Sequence, residues 1–108
     1  MKTEEKNKII EDLKKAHGEV YVSSPKCDSE TFVVFKKAGR AETRAYKSDR
    51  DNDAYKFLAD ERLCQACVVY PDKKGFDALL DQFPFYSGPL AFEIITASGG
   101  GDASSKKA

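Results

Sequence analysis

Two cysteines with the spacing of a reactive pair stand at positions 64 and 67, in the segment LCQAC. Dithiol redox enzymes and zinc sites both use this C-x-x-C pattern. A redox cysteine needs to lie at the N-terminus of a helix, where the helix dipole lowers the pKa of its thiol. Apolar residues at helical spacing before Cys64 place the pair near the C-terminal end of a helix, where the dipole disfavours a thiolate. We therefore expect both thiols to pack a core and not to carry redox chemistry.

A structural zinc ion would need four ligands, and the chain supplies Cys27, Cys64, Cys67 and His17. The number is sufficient, but one C-x-x-C pair without a second such pair is a weak zinc signature. Cysteine is also among the residue types most often buried as a small apolar side chain. Core packing is therefore the favoured interpretation and no metal site is predicted, while a zinc-stabilised fold stays an alternative.

The sequence contains no other arrangement that points to catalysis. Its single histidine, His17, stands beside Gly18 at a predicted helix end, so no base is identified for a serine or cysteine nucleophile. No G-x-x-x-x-G-K-[ST] phosphate loop is present, and no G-x-G-x-x-G follows a predicted strand. Neighbouring carboxylates such as Asp60 and Glu61 fall in polar segments, which is typical of a solvated face. The pattern favours a protein that is not an enzyme and needs no cofactor.

Length and composition indicate a small water-soluble protein. The chain has 108 residues, which suits one compact domain. Hydrophobic residues make up 41% of it, and no apolar run approaches the ~18 residues that a membrane span requires. The N-terminal segment lacks the continuous apolar block of a secretory signal, and three cysteines do not suggest a disulfide framework. We therefore expect a cytoplasmic protein without membrane contact.

Hydrophobic periodicity predicts a single α+β domain over residues 1–97. A charged amphipathic helix is predicted over 3–16 and ends before Gly18. Two runs of β-branched and aromatic residues, at 19–24 and 31–37, flank a turn-rich loop and predict a β-hairpin. Because two strands alone are marginal in water, we expect the N-terminal helix and hairpin to pack with three or four short helices.

The second half of the chain is predicted to be helical. A short helix is predicted in GRAETRAYKS, a longer one over 52–69, and a third over 73–82 with Asp72 as its N-cap. Ser87 is the candidate N-cap of a last helix. The segment 98–108 has no large apolar residue whose burial could offset the entropy lost on ordering, so a flexible tail is predicted there.

Basic residues concentrate in the segment KKAGRAETRAYKSDR. If residues 36–50 are partly helical, Arg40, Arg44 and Lys47 share one side, a spacing that suits phosphates or an acidic protein segment. The whole chain has 18 basic and 18 acidic residues, and Tyr46 alone interleaves with the cations, so nucleic acid is disfavoured as a partner. A nucleic-acid or regulatory binding module stays the alternative function. Its patch would comprise Lys36, Lys37, Arg40, Arg44 and Lys47.

Two short motifs lie within FVVFKKAGRAETRAYKS and LCQACVVYPDKKGFDALLDQFP. In the first, an aromatic strand leads into an R-x-E-x-x-x-Y helix, and in the second a C-V-V-Y-P passage precedes F-x-x-L-L-x-x-x-P. This order, over about residues 18–97, resembles the tail assembly chaperones of long-tailed bacteriophages. The chain departs from that pattern at Cys64 and at Gly39, where proline is expected. The matching residues are Arg40, Glu42, Tyr46, Cys67, Val68, Val69, Tyr70, Pro71, Phe76, Leu79, Leu80 and Pro84.

The resemblance implies a non-enzymatic role in phage tail assembly. Proteins of that family keep the hydrophobic tape-measure protein soluble until tail tube subunits polymerise around it, so the tail tube protein is a second expected partner and self-association is left open. Such a role requires an apolar groove for a partner helix. It also implies that Cys67 packs at a helix end. The densest aromatic stretch supplies the expected partner-binding residues, which are Phe83, Phe85, Tyr86, Leu90 and Phe92.

Overall fold

The α+β class predicted from the sequence is confirmed in the computed structural model, which describes residues 3–28, 30–100 and 105–107. No helix in this part of the chain is both long and apolar enough to cross a bilayer. The elements in chain order are α1 (Thr3–His17), β1 (Tyr21–Ser23), β2 (Val33–Phe35), α2 (Arg40–Asp51), a 3-10 turn (Lys56–Leu58), α3 (Ala59–Cys67), β3 (Val68–Tyr70), α4 (Lys73–Gln82) and α5 (Ser87–Ala97).

Strand β2 is the centre of an antiparallel three-stranded sheet with the order β1-β2-β3. Tyr21 pairs with Phe35 in the predicted hairpin of β1 and β2, and their rings stack at 5.3 Å between centroids. All three residues of β2 are buried, as expected for a middle strand with both faces covered. The sheet therefore supplies one wall of the core.

The predicted bounds of the helix over 52–69 were wrong at both ends. On its N-terminal side α2 continues to Asp51 and ends where the Asn52 N–H donates to the carbonyl of Asp49 at 3.1 Å. The 3-10 turn follows, and α3 begins only at Ala59. On the C-terminal side, residues 68–70 leave the helix and pair with β2. Two valines and a tyrosine favour an extended strand once a partner strand is available.

The core lies between the sheet and helices α3, α4 and α5. Phe76 of α4 and Leu90 and Ile94 of α5 are the largest side chains that are fully buried. Burial of a side chain of this size contributes about 1.5–3 kcal/mol relative to leaving it in water. Helix α5 packs mainly on α3, and α2 packs on α3 as well, so α3 lies at the centre of the helical layer.

Helix α1 carries no fully buried residue. Its apolar side chains Ile9, Ile10 and Leu13 are half-buried, while the charged residues between them are mostly exposed. The helix ends as predicted at Gly18, whose N–H donates to the Lys14 carbonyl at 2.8 Å. Gly18 has a φ of +80°, a conformation that glycine adopts without steric cost.

The two predicted N-caps have different outcomes. Asp72 caps α4 as predicted, because its Oδ1 accepts from the Gly75 N–H at 2.8 Å. Ser87 does not cap α5: it is the first helical residue, and Tyr86 precedes it without a side-chain capping bond. A tight turn in front of α5 therefore replaces the predicted cap.

The compact region extends past residue 97, where the predicted domain ended. Ser98 Oγ accepts from the Ala38 N–H at 2.9 Å and donates to the Ile94 carbonyl at 2.6 Å. The Gly100 N–H donates to the Ile95 carbonyl at 2.7 Å. Residues 98–100 thus close the end of α5 and bind it to the segment after β2. Residues 101–104 and 108 of the predicted tail lie outside the described residues.

Candidate functional site

Cys64 and Cys67 are core residues, as the sequence predicted. Both side chains are 0% exposed. Burial raises the pKa of the Cys64 thiol to about 12 and that of the Cys67 thiol to about 11. The Cys64 Sγ donates to the Ser87 carbonyl at 3.5 Å, so this thiol joins α3 to the start of α5. Neutral, enclosed thiols are unsuited to redox exchange, because the thiolate is the reactive form.

The four residues of the alternative zinc site do not converge. Cys64 and Cys67 are buried, whereas Cys27 is exposed in the loop after β1. His17 is exposed at the end of α1. Within residues 3–28, 30–100 and 105–107, no three His, Cys, Asp or Glu side chains come together as a metal site would require. The zinc alternative therefore has no geometric support.

A large apolar depression lies between the loop after β1 and the connection from α4 to α5. Its volume is about 640 Å³. Phe85 projects at its edge with 91% of its surface exposed, and Phe83 is half-buried in its wall. We call this depression the aromatic cleft. It is lined by Ser24, Pro25, Lys26, Cys27, Gln82, Phe83, Pro84, Phe85, Tyr86, Pro89 and Glu93.

Backbone hydrogen bonds hold the aromatic wall of the cleft in place. The Phe83 N–H donates to the Leu79 carbonyl at 2.8 Å and ends α4, and the Tyr86 N–H donates to the Phe83 carbonyl at 3.0 Å. This turn directs Phe85 outward and Tyr86 inward. Pro84 cannot donate a backbone hydrogen bond and fixes its own φ, which limits the ways the turn can rearrange.

Tyr86 joins the two walls of the cleft. Its hydroxyl hydrogen-bonds the Ser23 hydroxyl at the end of β1, across a separation of 63 residues in sequence. Burial raises the pKa of the Tyr86 phenol to about 12, so the hydroxyl stays protonated. Both residues are buried, with 6% of Tyr86 and 5% of Ser23 exposed. The bond therefore fixes the distance between the hairpin loop and α5.

The five expected partner-binding residues do not share one surface. Leu90 belongs to the core, with 0% exposed, so its assignment to a surface was wrong. Tyr86 is also buried, with 6% exposed, and contributes only to the inner lining of the aromatic cleft. The helical turn places Leu90 on the side of α5 that faces α3. Phe83 and Phe85 line the aromatic cleft, whereas Phe92, 66% exposed, lies on another face of α5.

The sequence did not identify the opposite wall of the cleft. That wall is the loop after β1, in which Pro25 is buried and Cys27 is exposed. A proline in a turn-rich loop signals a rigid bend, but nothing local indicates that the bend faces residues 82–86. Only the pairing of β1 with β2 and the docking of α5 bring the two segments together.

The expected basic patch is divided between two elements. Lys36 and Lys37 follow β2, and the Lys37 ammonium lies 3.3 Å from a Glu19 carboxylate oxygen. Hydrogen bonding to that carboxylate raises the pKa of Lys37. Arg40, Arg44 and Lys47 are exposed on α2. The exposed cations of α2 therefore form the larger part of the patch that a partner could reach.

No known protein-family model matches this chain, and no curated protein matches it. A solved structure, that of the uncharacterised protein rbstp2171 from Bacillus stearothermophilus, is similar to it with a TM-score of 0.75. The two chains are 18% identical, and the similarity covers 91% of this chain and 99% of that one. At this level of identity the likeness shows the fold alone.

Proposed function

We propose that this protein is a non-catalytic binding protein that holds an apolar segment of another chain in the aromatic cleft. The chemistry of the cleft supports this role, because its lining is mainly aromatic and proline side chains with few charges. In line with the resemblance to phage tail assembly chaperones, the proposed client is the tape-measure protein, kept soluble in the host cytoplasm until tail tube subunits replace the contact.

The exposure of Phe85 is the observation that carries the proposal. A phenylalanine that is 91% exposed gains almost nothing from the fold of its own chain. A bound segment could bury it, together with the half-buried Phe83 beside it. Full burial of one such side chain contributes about 1.5–3 kcal/mol, which is a useful share of the affinity of a transient complex.

The lining of the cleft, mostly apolar with two charged side chains, suits an amphipathic helix. Recognition of this kind places apolar residues at helical spacing into a groove, while the polar face of the guest stays in water. Lys26 and Glu93 lie in the lining and can contact that polar face. Because Tyr86 and the prolines fix the walls, the guest does not need to order the host, which reduces the entropic cost of binding.

Co-expression with an apolar helical segment of a tape-measure protein tests the proposal. We expect the wild-type chain to raise the soluble fraction of that segment and to co-purify with it. Phe85→Ser should abolish most of the gain. The matched control is Phe57→Ser, since Phe57 is also highly exposed, at 85%, but lies on the 3-10 turn outside the cleft.

Two outcomes contradict the proposal. One is that the wild-type chain gives no gain in solubility over expression of the segment alone. The other is an equal loss with Phe85→Ser and Phe57→Ser, which would mean that general surface stickiness and not the cleft is responsible. Circular dichroism of each purified variant shows whether its fold is intact.

A further inference from the structure

A second depression runs along another side of α5, between that helix and α2. It consists of two adjoining hollows of about 370 Å³ each, which share Tyr46, Arg50 and Ile95 in their linings. One hollow reaches Gly88 and Phe92 near the start of α5, and the other reaches Gly99 and Gly100 past its end. The depression therefore follows α5 from Gly88 to the helix end at Ala97, about 10 residues or roughly 15 Å of helix, and continues past it to Gly100. We call it the basic groove.

Apolar side chains form part of the floor of the basic groove. Ala59 and Leu63 of α3 form its base, and Ile95 of α5 forms part of a wall. Phe92 adds a ring that is 66% exposed. An exposed phenylalanine on the solvent side of a helix contributes little to its own fold, so a partner that covers it gains apolar contact.

Cations line one edge of the groove. The lining holds Lys47 and Arg50 of α2, Lys56 of the 3-10 turn and one carboxylate, Asp60. The Lys56 ammonium lies 3.6 Å from an Asp53 carboxylate oxygen, so its charge is already paired. Asp60 accepts a hydrogen bond from the Tyr46 hydroxyl at 2.9 Å, so it is already engaged. In the part of the chain that the structure describes, no carboxylate lies within 4.0 Å of the Lys47 ammonium or the Arg50 guanidinium. The edge keeps a net positive charge.

We propose that the basic groove binds an acidic amphipathic segment of another protein. Its apolar side would cover Phe92 and Ile95, while its carboxylates would face Lys47 and Arg50. Complementary charge at the edge of an apolar contact sets the orientation and the rate of such association. The proposal is independent of the aromatic cleft, because the two surfaces lie on different faces of α5.

Two other occupants fit the groove less well. The remainder of this chain, residues 101–108, contains two lysines against one aspartate and no large apolar residue, so the cationic edge would repel it. Nucleic acid binding is favoured by a net positive charge and several stacking rings, but this chain has 18 basic and 18 acidic residues. Of the two rings in the groove lining, Tyr46 is half-buried, which leaves Phe92 as the exposed one.

Fluorescence anisotropy with a labelled synthetic peptide tests the proposal on the full chain. The probe is a helical peptide of about 15 residues with leucine at i, i+3, i+4 and i+7 and glutamate on its other face. The control peptide carries lysine in place of each glutamate. We expect the acidic peptide to bind, the basic peptide not to bind, and the Kd of the acidic peptide to rise with added salt.

Matched variants locate the binding site. Lys47→Glu and Arg50→Glu together should weaken binding by about tenfold, whereas Arg44→Glu should change it by less than about twofold. Arg44 is exposed on the same helix but does not line the groove, so it carries the same charge reversal outside the site. Lys47→Glu alone should weaken peptide binding by about threefold. This single variant keeps the test valid if the double variant does not fold.

Several results overturn the proposal. Equal binding of the two peptides would show that charge does not select the ligand. Equal losses of affinity for Lys47→Glu and Arg44→Glu would show that the peptide does not bind in the groove. No binding of the acidic peptide also overturns it. Tighter binding of a single-stranded oligonucleotide than of the acidic peptide would assign the groove to nucleic acid. Phe85→Ser should leave peptide binding unchanged, and a loss there would place the peptide in the aromatic cleft.

Discussion

The aromatic cleft and the basic groove flank the same helix but are built differently. Loops and prolines form the cleft, and its exposed ring, Phe85, lies outside regular secondary structure. Helices form the groove, and its edge carries Lys47 and Arg50. Salt should therefore weaken binding in the groove far more than binding in the cleft, because apolar burial is insensitive to screening. One apolar helix can thus present two surfaces with different selectivity.

Helix α5 explains how both surfaces can exist. Glu93 is the single charged residue among its 11 residues, a composition typical of a helix that is covered on all sides. One side packs on α3, but Phe92 on another side is exposed. The remaining apolar surface is therefore available for partners on each flank of the core contact.

The largest expected difference concerns the reactivity of the thiols. Cys27 is exposed in the lining of the cleft, whereas Cys64 and Cys67 are buried with pKa values of about 12 and about 11. At pH 8 both buried thiols are protonated, so alkylation of Cys27 should be at least about a hundredfold faster. Mass spectrometry of the alkylated peptides over time measures the three rates.

The same reaction separates the two surfaces. An apolar client bound in the cleft should slow the alkylation of Cys27, while the acidic peptide bound in the groove should not. Protection of Cys27 by the acidic peptide would show that the two sites overlap. Rapid alkylation of Cys64 or Cys67 would show that the core of α3 opens readily.

The next largest effect is a loss of stability on truncation of Leu90, which packs in the core on the helix that borders both surfaces. Leu90→Ala removes a side chain that is 0% exposed and should lower the free energy of unfolding by about 2–5 kcal/mol. Urea denaturation followed by circular dichroism measures the change. Because α5 forms a wall of both sites, binding to the cleft and to the groove should weaken together. An unchanged unfolding midpoint would contradict the placement of Leu90 in the core.

The aromatic segment also shows what the sequence could and could not reveal. Local patterns predicted the hairpin and the Asp72 cap, because pairing and capping there involve neighbours in the chain. They did not separate Phe85 from Tyr86, since both are aromatic residues in one short segment. The inward position of Tyr86 depends on Ser23, which is 63 residues away in the chain. Strand β3 was missed for the same reason, as its partner β2 is remote in sequence.

A tyrosine hydroxyl links two elements at each surface. Removal of that single hydroxyl should have a smaller effect on stability than the loss of Leu90. Tyr86→Phe leaves the buried Ser23 hydroxyl without its partner and should cost about 1–3 kcal/mol. Tyr46→Phe removes the bond to Asp60, but Asp60 is only half-buried and can bond to water, so the cost should be about 0.5–1 kcal/mol. Chemical denaturation of the two variants compares these values.

Binding measurements extend the comparison of the two tyrosines. Tyr86→Phe should weaken client binding in the cleft, because the loop after β1 loses its link to α5. Tyr46→Phe should leave the cleft unaffected. A larger loss of stability for Tyr46→Phe than for Tyr86→Phe would contradict the greater burial of the Tyr86 hydrogen bond.

The smallest expected effect on stability concerns the exposed rings themselves. Phe85→Ser and Phe92→Ser should each change the free energy of unfolding by no more than about 0.5 kcal/mol, since 91% and 66% of these side chains already contact water. Each variant should weaken the binding of one ligand only. Phe85→Ser should reduce client binding and spare the acidic peptide, and Phe92→Ser should do the reverse. If both variants weakened both ligands, α5 would present one continuous surface, and the division into cleft and groove would be incorrect.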